Sequence, residues 1–149
     1  MKKTIKKSVK KTMLIAALLL GAGNAFAAPA FTGQDYSGVY DCTGNDAHEG
    51  PYTGTVTMTL NREQSTANHG AYAFKLEVPG YGTYLGEAAA EGDKIAMHFA
   101  LKDQTTKDYG TGIATFKKDK RGRLGFHKYY YEPEFKGGNY GTEDCVRRG

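Results

Sequence analysis

This chain lacks a long hydrophobic run, a C-x-x-C pair and, past its first residues, any excess of basic charge. Its longest apolar stretch, "MLIAALLLGAG" (13–23), is short for crossing a bilayer, which needs about 20 residues. It follows the basic "MKKTIKKSVKKT" and precedes the small-x-small "AFA" (25–27), the arrangement of a secretory signal peptide. The expectation is a signal over 1–27, a single mature domain over 28–149, and a periplasmic or secreted location. The residue after the expected cleavage point is Ala28, not cysteine, so a lipid anchor is not expected. The signal carries six lysines and no acid, so the chain's formal +4 becomes −2 for the mature protein. A nucleic-acid partner is therefore not expected.

Catalytic signatures are missing too. There is no Ser-His-Asp arrangement, no reactive cysteine and no phosphate loop. Glu132 and Glu134 have the chemistry of an acid–base pair, but they flank Pro133 as in a surface turn, with no nucleophile beside them. "NDAHEG" (45–50) gathers Asn, Asp, His and Glu but fits no EF-hand or zinc spacing, so it reads as a polar turn. No enzyme activity, cofactor or metal is expected.

What the chain does have is period two. "YTGTVTMTL" alternates Val56, Met58 and Leu60 with threonines. "AYAFKLEV" puts Tyr72, Phe74, Leu76 and Val78 on one face, and "KIAMHFAL" does the same with Ile95, Met97, Phe99 and Leu101. One apolar and one polar face is the pattern of an antiparallel sheet. Turn signals such as "VPGY" and "AEGDK" divide the chain into eight strands, near 36–42, 51–61, 70–78, 81–89, 94–101, 109–117, 123–131 and 139–146. The expected fold is all-β, an eight-stranded antiparallel up-and-down barrel closed by one disulfide. Cys42 and Cys145 lie on the first and last strands, and an oxidising compartment favours their pairing. Those strands are neighbours in a closed barrel, where a disulfide can reach; a sandwich with exchanged strand order would also bring them together.

The tripeptide "YGT" recurs at 81–83, 109–111 and 140–142, with a looser copy in "PYTGTV". These copies open alternate strands, so Tyr52, Tyr81, Tyr109 and Tyr140 are expected at one end of the barrel, with Tyr130, Glu132 and Glu134 near the same rim. Two roles remain open. The glycines are kinks covered by tyrosine rings, or the tyrosines line a mouth for a ligand. Loops at that end also carry Asp46, Glu49, Asp103 and Asp108, with Glu143 and Asp144 nearby; the opposite end carries Lys117, Lys118, Lys120, Arg121 and Arg123. Such segregation steers charged partners.

"YSGVYDC" resembles the G-x-W opening of the calycins, the lipocalin and avidin barrels, with Gly38 in the glycine place and Tyr40 where tryptophan is usual; the chain has no tryptophan. The resemblance implies a small secreted ligand-binding barrel. Size, signal and terminal disulfide are also similar to those of bacterial periplasmic C-type lysozyme inhibitors. The leading expectation is a non-enzymatic barrel binding a small apolar or aromatic ligand at a tyrosine-lined mouth. The alternatives are a module that binds a cationic protein such as a cell-wall hydrolase through acidic loops, and a structural barrel filled by its own side chains.

Overall fold

The computed structural model describes residues 28–149. The signal expected over 1–27 lies outside the described residues. Eight strands follow one another: β1 (Gly38–Asp46), β2 (Gly50–Thr66), β3 (His69–Val78), β4 (Gly82–Glu91), β5 (Lys94–Leu101), β6 (Tyr109–Lys118), β7 (Leu124–Glu132) and β8 (Asn139–Arg147). Each pairs antiparallel with the next, and β8 returns to β1 to close the barrel. Closure leaves no strand edge exposed. Cys42 and Cys145 are register partners across the β1–β8 seam, with Cα atoms 4.1 Å apart, and are disulfide-bonded inside the barrel.

Two strands outrun the expected boundaries well beyond a residue or two. β1 continues to Asp46 because "TGND" still pairs on both sides, with Asp46 opposite Gly50 on β2 and Gly141 on β8. β2 runs through the polar "REQST" to Thr66, with a register shift between Asn61 and Thr66. Ser65 turns inward there; its hydroxyl donates to Asn61 O at 2.6 Å and accepts from the Ala71 N–H at 2.9 Å. Polarity misled because a strand facing water on one side needs no apolar residue there. The "NDAHEG" stretch forms a tight Asx turn in which Asp46 Oδ1 accepts from the backbone N–H groups of His48 and Glu49, both at 2.8 Å.

The barrel is a cup. Its lower end is closed by rings from the segment before β1 and from the strands. Tyr36 stacks on Phe116 with centroids 4.0 Å apart, and Tyr40 and Phe126 pack beside them. Each tyrosine hydroxyl is satisfied: Tyr36 donates to Gly92 O and Tyr40 to Tyr36 O, both at 2.7 Å. Burial pushes the Tyr40 phenol up to about 12. The upper end carries the β1–β2, β3–β4, β5–β6 and β7–β8 connections, the last two holding single 3₁₀ turns at Gln104–Thr106 and Phe135–Gly137.

Candidate functional site

Alternation decides which side chains enter the upper cup. Tyr52 on β2, Leu76 on β3, Tyr84 on β4 and Phe99 on β5 point inward, as do Lys128, Tyr130 and Glu132 on β7. β8 contributes buried Asn139 and Glu143, and Asp108 turns in just before β6. Inward glycines make the room. A Cβ on Gly44 would meet the Tyr52 ring, one on Gly141 the Tyr130 ring, and one on Gly110 Phe99 and Glu132. Small residues facing large ones across strands is how a small barrel fits its taper. The recurring glycine of the tripeptide therefore holds space inside the wall: Gly54, Gly82, Gly110 and Gly141 each stand against an inward side chain.

The tyrosines divide. In "YGT" the ring and the glycine are adjacent and take opposite faces; in "YTGT" they are two apart and share one. Tyr52 thus points inward and donates to Glu143 Oε1 at 3.0 Å. Tyr109 and Tyr140 point outward. Tyr109 donates to Glu134 on the rim; Tyr140 is 59% exposed. Tyr81 sits in the turn before β4, where it escapes strand parity, folds over the mouth and donates to Asp108 Oδ2 at 2.9 Å. Tyr130 and Glu132 lie inside the cup rather than on its rim, both buried. Glu134 stays exposed and pairs with Lys107 at 2.9 Å. Of the seven expected site residues, Tyr52, Tyr81, Tyr130 and Glu132 line one cavity; Tyr109, Tyr140 and Glu134 do not.

That cavity has a volume of about 70 Å³. Its ring wall is continuous: Tyr81 stacks parallel to Tyr84 at 6.3 Å, and Phe99 meets both Tyr84 and Tyr130 edge-on at 5.9 Å. Phe135, in the β7–β8 loop, closes part of the mouth from above. Its loop is tied down by Lys136 to Glu49 on one side and by Glu134 to Lys107 on the other.

Charge fills the remainder. Among the described residues, the buried carboxylates are Asp46, Asp108, Glu132 and Glu143, and Lys128 is the one buried cation. Lys128 Nζ lies 2.6 Å from Glu143 Oε2 and between 5.3 and 5.6 Å from the ring centres of Phe74, Phe99 and Tyr130. Burying such a pair is costly unless geometry and further hydrogen bonds compensate; the rings and the Tyr52 hydroxyl supply that compensation. Asp46 Oδ2 accepts from the Tyr130 hydroxyl and from Asn139 Nδ2, both at 2.7 Å. Burial raises the Asp46 carboxyl, but the hydrogen bonds it accepts outweigh burial and hold it below the ordinary aspartate value. Asp108 Oδ2 accepts from Tyr81 and from Tyr84, the latter at 2.8 Å, while its buried Oδ1 has no hydrogen-bond donor. Glu132 accepts from Asn139. Burial, reinforced by Asp108 and Asp46, pushes Glu132 up to about 8, so it carries a proton at neutral pH. Burial and neighbouring carboxylates push the Tyr52, Tyr84 and Tyr130 phenols well above their ordinary range.

Sequence reasoning placed Asp46, Asp108 and Glu143 in or near the loops at this end and did not single out Tyr84, Lys128, Asn139 or Phe135. A signal for part of this was present. Cys145 must face Cys42 inside the barrel, and two-residue parity then turns Glu143, Gly141 and Asn139 inward as well.

Fold and cavity together define a class: a closed eight-stranded antiparallel barrel, stapled first strand to last, with one end plugged and a charged, ring-walled cavity under the other. Comparison of the chain with protein-family models, curated proteins and solved structures finds no match in any of the three.

Proposed function

We propose that the protein is a non-enzymatic, secreted or periplasmic binding barrel that takes a small ligand through the tyrosine end of the cup. One observation carries this reading above all. Under the mouth lies a cavity of about 70 Å³ walled by Tyr52, Tyr81, Tyr84, Phe99 and Tyr130, with a few polar groups converging on it. Concave, largely apolar walls with a few placed polar atoms are the usual form of a small-molecule site. The volume is about half that of an engineered cavity that holds benzene. The ligand's buried part is correspondingly small, and any larger apolar or aromatic portion lies between Tyr81 and Phe135 at the opening. The resemblance of "YSGVYDC" to the calycin opening is compatible with this role.

Burial of Asp46, Asp108, Glu132 and Glu143 weighs against the alternative of a cationic protein partner, because these acids do not face outward from the loops. The cavity weighs against a barrel filled purely for structure.

The test is a thermal-shift screen of small aromatic and alkyl compounds against the wild type and a Val78→Trp variant. Val78 lines the cavity, so its indole fills the space. A true ligand at a hundred times its Kd stabilises the wild type by about 2.7 kcal/mol and leaves V78W unmoved. Equal shifts in both proteins, or none in either, would reject the site.

A further inference from the structure

The cup holds more negative charge than its own residues neutralise. Asp46, Asp108 and Glu143 face one lysine, with Glu132 adding a fourth negative charge when it ionises, and Lys128 is engaged by Glu143 at 2.6 Å. Asp46 is met by Tyr130 and Asn139. Asp108 is different. Its residue is 3% exposed, both tyrosine hydroxyls go to Oδ2, and for the buried Oδ1 the cavity wall offers no donor except the proton of the neighbouring Glu132. Once Glu132 gives up that proton the buried acceptor is left open, which is costly, and native proteins seldom keep such a group without a reason. The neighbouring Glu132 carboxyl reaches the Asp108 side chain, so the two share the site.

We propose that the cup binds an organic cation, a primary ammonium on a short apolar or aromatic body, with its N–H groups donating to Asp108 Oδ1 and the Glu132 carboxylate. The proposal deepens the ligand-binding reading and rests on it. Three features select this chemistry. An ammonium supplies both the positive charge and the donors that the open acceptor needs. The faces of Tyr81, Tyr84, Phe99 and Tyr130 favour a cation and accept the apolar body. A bare metal ion fits poorly: among the described residues, the one group of three potential ligand atoms close enough for a shared ion is Cys42, Glu143 and Cys145, whose sulfurs are already bonded to each other.

Binding is linked to a proton. Below about pH 8 Glu132 is protonated. The incoming ammonium takes the place of that proton, which leaves for solvent, and the bound state holds Glu132 as carboxylate. The charged groups around it are Asp46 from β1, Glu49 from the β1–β2 turn, Asp108 ahead of β6, Lys128 on β7 and Glu143 on β8. Of these, Glu49 is paired with Lys136 at the rim and Glu143 with Lys128. The tyrosines Tyr52, Tyr81, Tyr84 and Tyr130 stay neutral throughout, their phenols all raised. An alkylammonium, titrating near the lysine value of about 10.4, stays charged across the range.

The experiment is an NMR titration of the intact disulfide-bonded protein with n-propylamine and, separately, with 1-propanol as its neutral isostere, in phosphate buffer from pH 6 to 9. The expected result is saturable shifts around the cavity with the amine and none with the alcohol. Affinity should rise towards tenfold per pH unit below pH 8 and level off above it, as expected when one proton is released. Asp108→Asn should lose at least tenfold at pH 8, and Glu132→Gln should bind weakly with no pH dependence while keeping the wild-type spectrum. If amine and alcohol bind alike, the cup is a small-molecule site but the cation inference fails. If neither binds, the binding reading fails with it. A pH-independent amine affinity would overturn the Glu132 role.

Discussion

At the residue scale, the interior shows how one environment sets opposite fates for like groups. Asp46 and Glu132 are both buried carboxyls, and both accept from the same Asn139 amide. Asp46 also receives two backbone N–H groups and a phenol, which outweigh its burial, and its pKa falls; Glu132 is raised by burial first and by two other carboxylates next, to about 8. The linkage signs differ accordingly. Asp46 contributes stability that is complete above its ordinary value near 3.8 and is lost as pH falls through its lower folded value. Glu132 contributes stability that is complete below its ordinary value of 4.5 and is lost as pH rises from there to about 8. Ligand-free protein should therefore be less stable to urea at pH 8 than at pH 5. Glu132→Gln should remove most of that difference and be the more stable protein at pH 8, by an amount on the order of a few kcal/mol. The buried ion pair makes a second expectation. Lys128→Met alone strands Glu143 and should cost about 3–5 kcal/mol, whereas Lys128→Met with Glu143→Leu should restore most of it. Denaturant melts of the single and double variants give the comparison.

At the scale of the strand, the inward glycines take up the taper of the cup, and their substitution should act through packing. Gly141→Ala places a methyl against the Tyr130 ring and Asn45 O and should cost about 1–3 kcal/mol, as overpacking does; outward Tyr140→Ala, at 59% exposure, should stay within about 0.5 kcal/mol. Thermal melts of the two variants check the parity. The same contrast shows what was legible beforehand. Strand number, order, closure and the Cys42–Cys145 bond followed from period two and from two cysteines at opposite ends of one domain. Parity along β7 did not. "HKYYYE" offers rings on both faces, so apolar alternation cannot choose between Tyr130 inward and Tyr129 or Tyr131 inward. Lys128 looks like a surface lysine until β7 is placed against Glu143. The acids of the cup were read as loop residues because a buried carboxylate is recognisable only by its partners, and those partners come from strands far apart in the chain.

On the scale of the whole molecule, closure depends on one non-local seam. β1 and β8 are antiparallel neighbours, β1 beginning and β8 finishing at the plugged end, and the Arg148 N–H donates to Val39 O at 2.8 Å there. The described N-terminal segment crosses the same end, where Phe31 pairs with Ala67. A permutant that starts at Arg121, in the exposed β6–β7 turn, and joins Gly149 to Ala28 by a short glycine-serine linker should therefore fold, since the cut breaks no strand and β8 and β1 become consecutive in the chain. The disulfide's contribution should shrink in that permutant. In the parent it closes a loop with a sequence separation of 103 residues, worth about 4–5 kcal/mol in the chain-entropy model. In the permutant the closed loop is roughly twenty to twenty-five residues, which lowers that contribution by about 1 kcal/mol because the dependence is logarithmic. Replacing both cysteines with alanine should then destabilise the permutant less than the parent by about that margin in urea unfolding. Equal losses in the two proteins would mean that the bond acts through packing at Cys42 and Cys145 inside the barrel, independent of how the ends are joined.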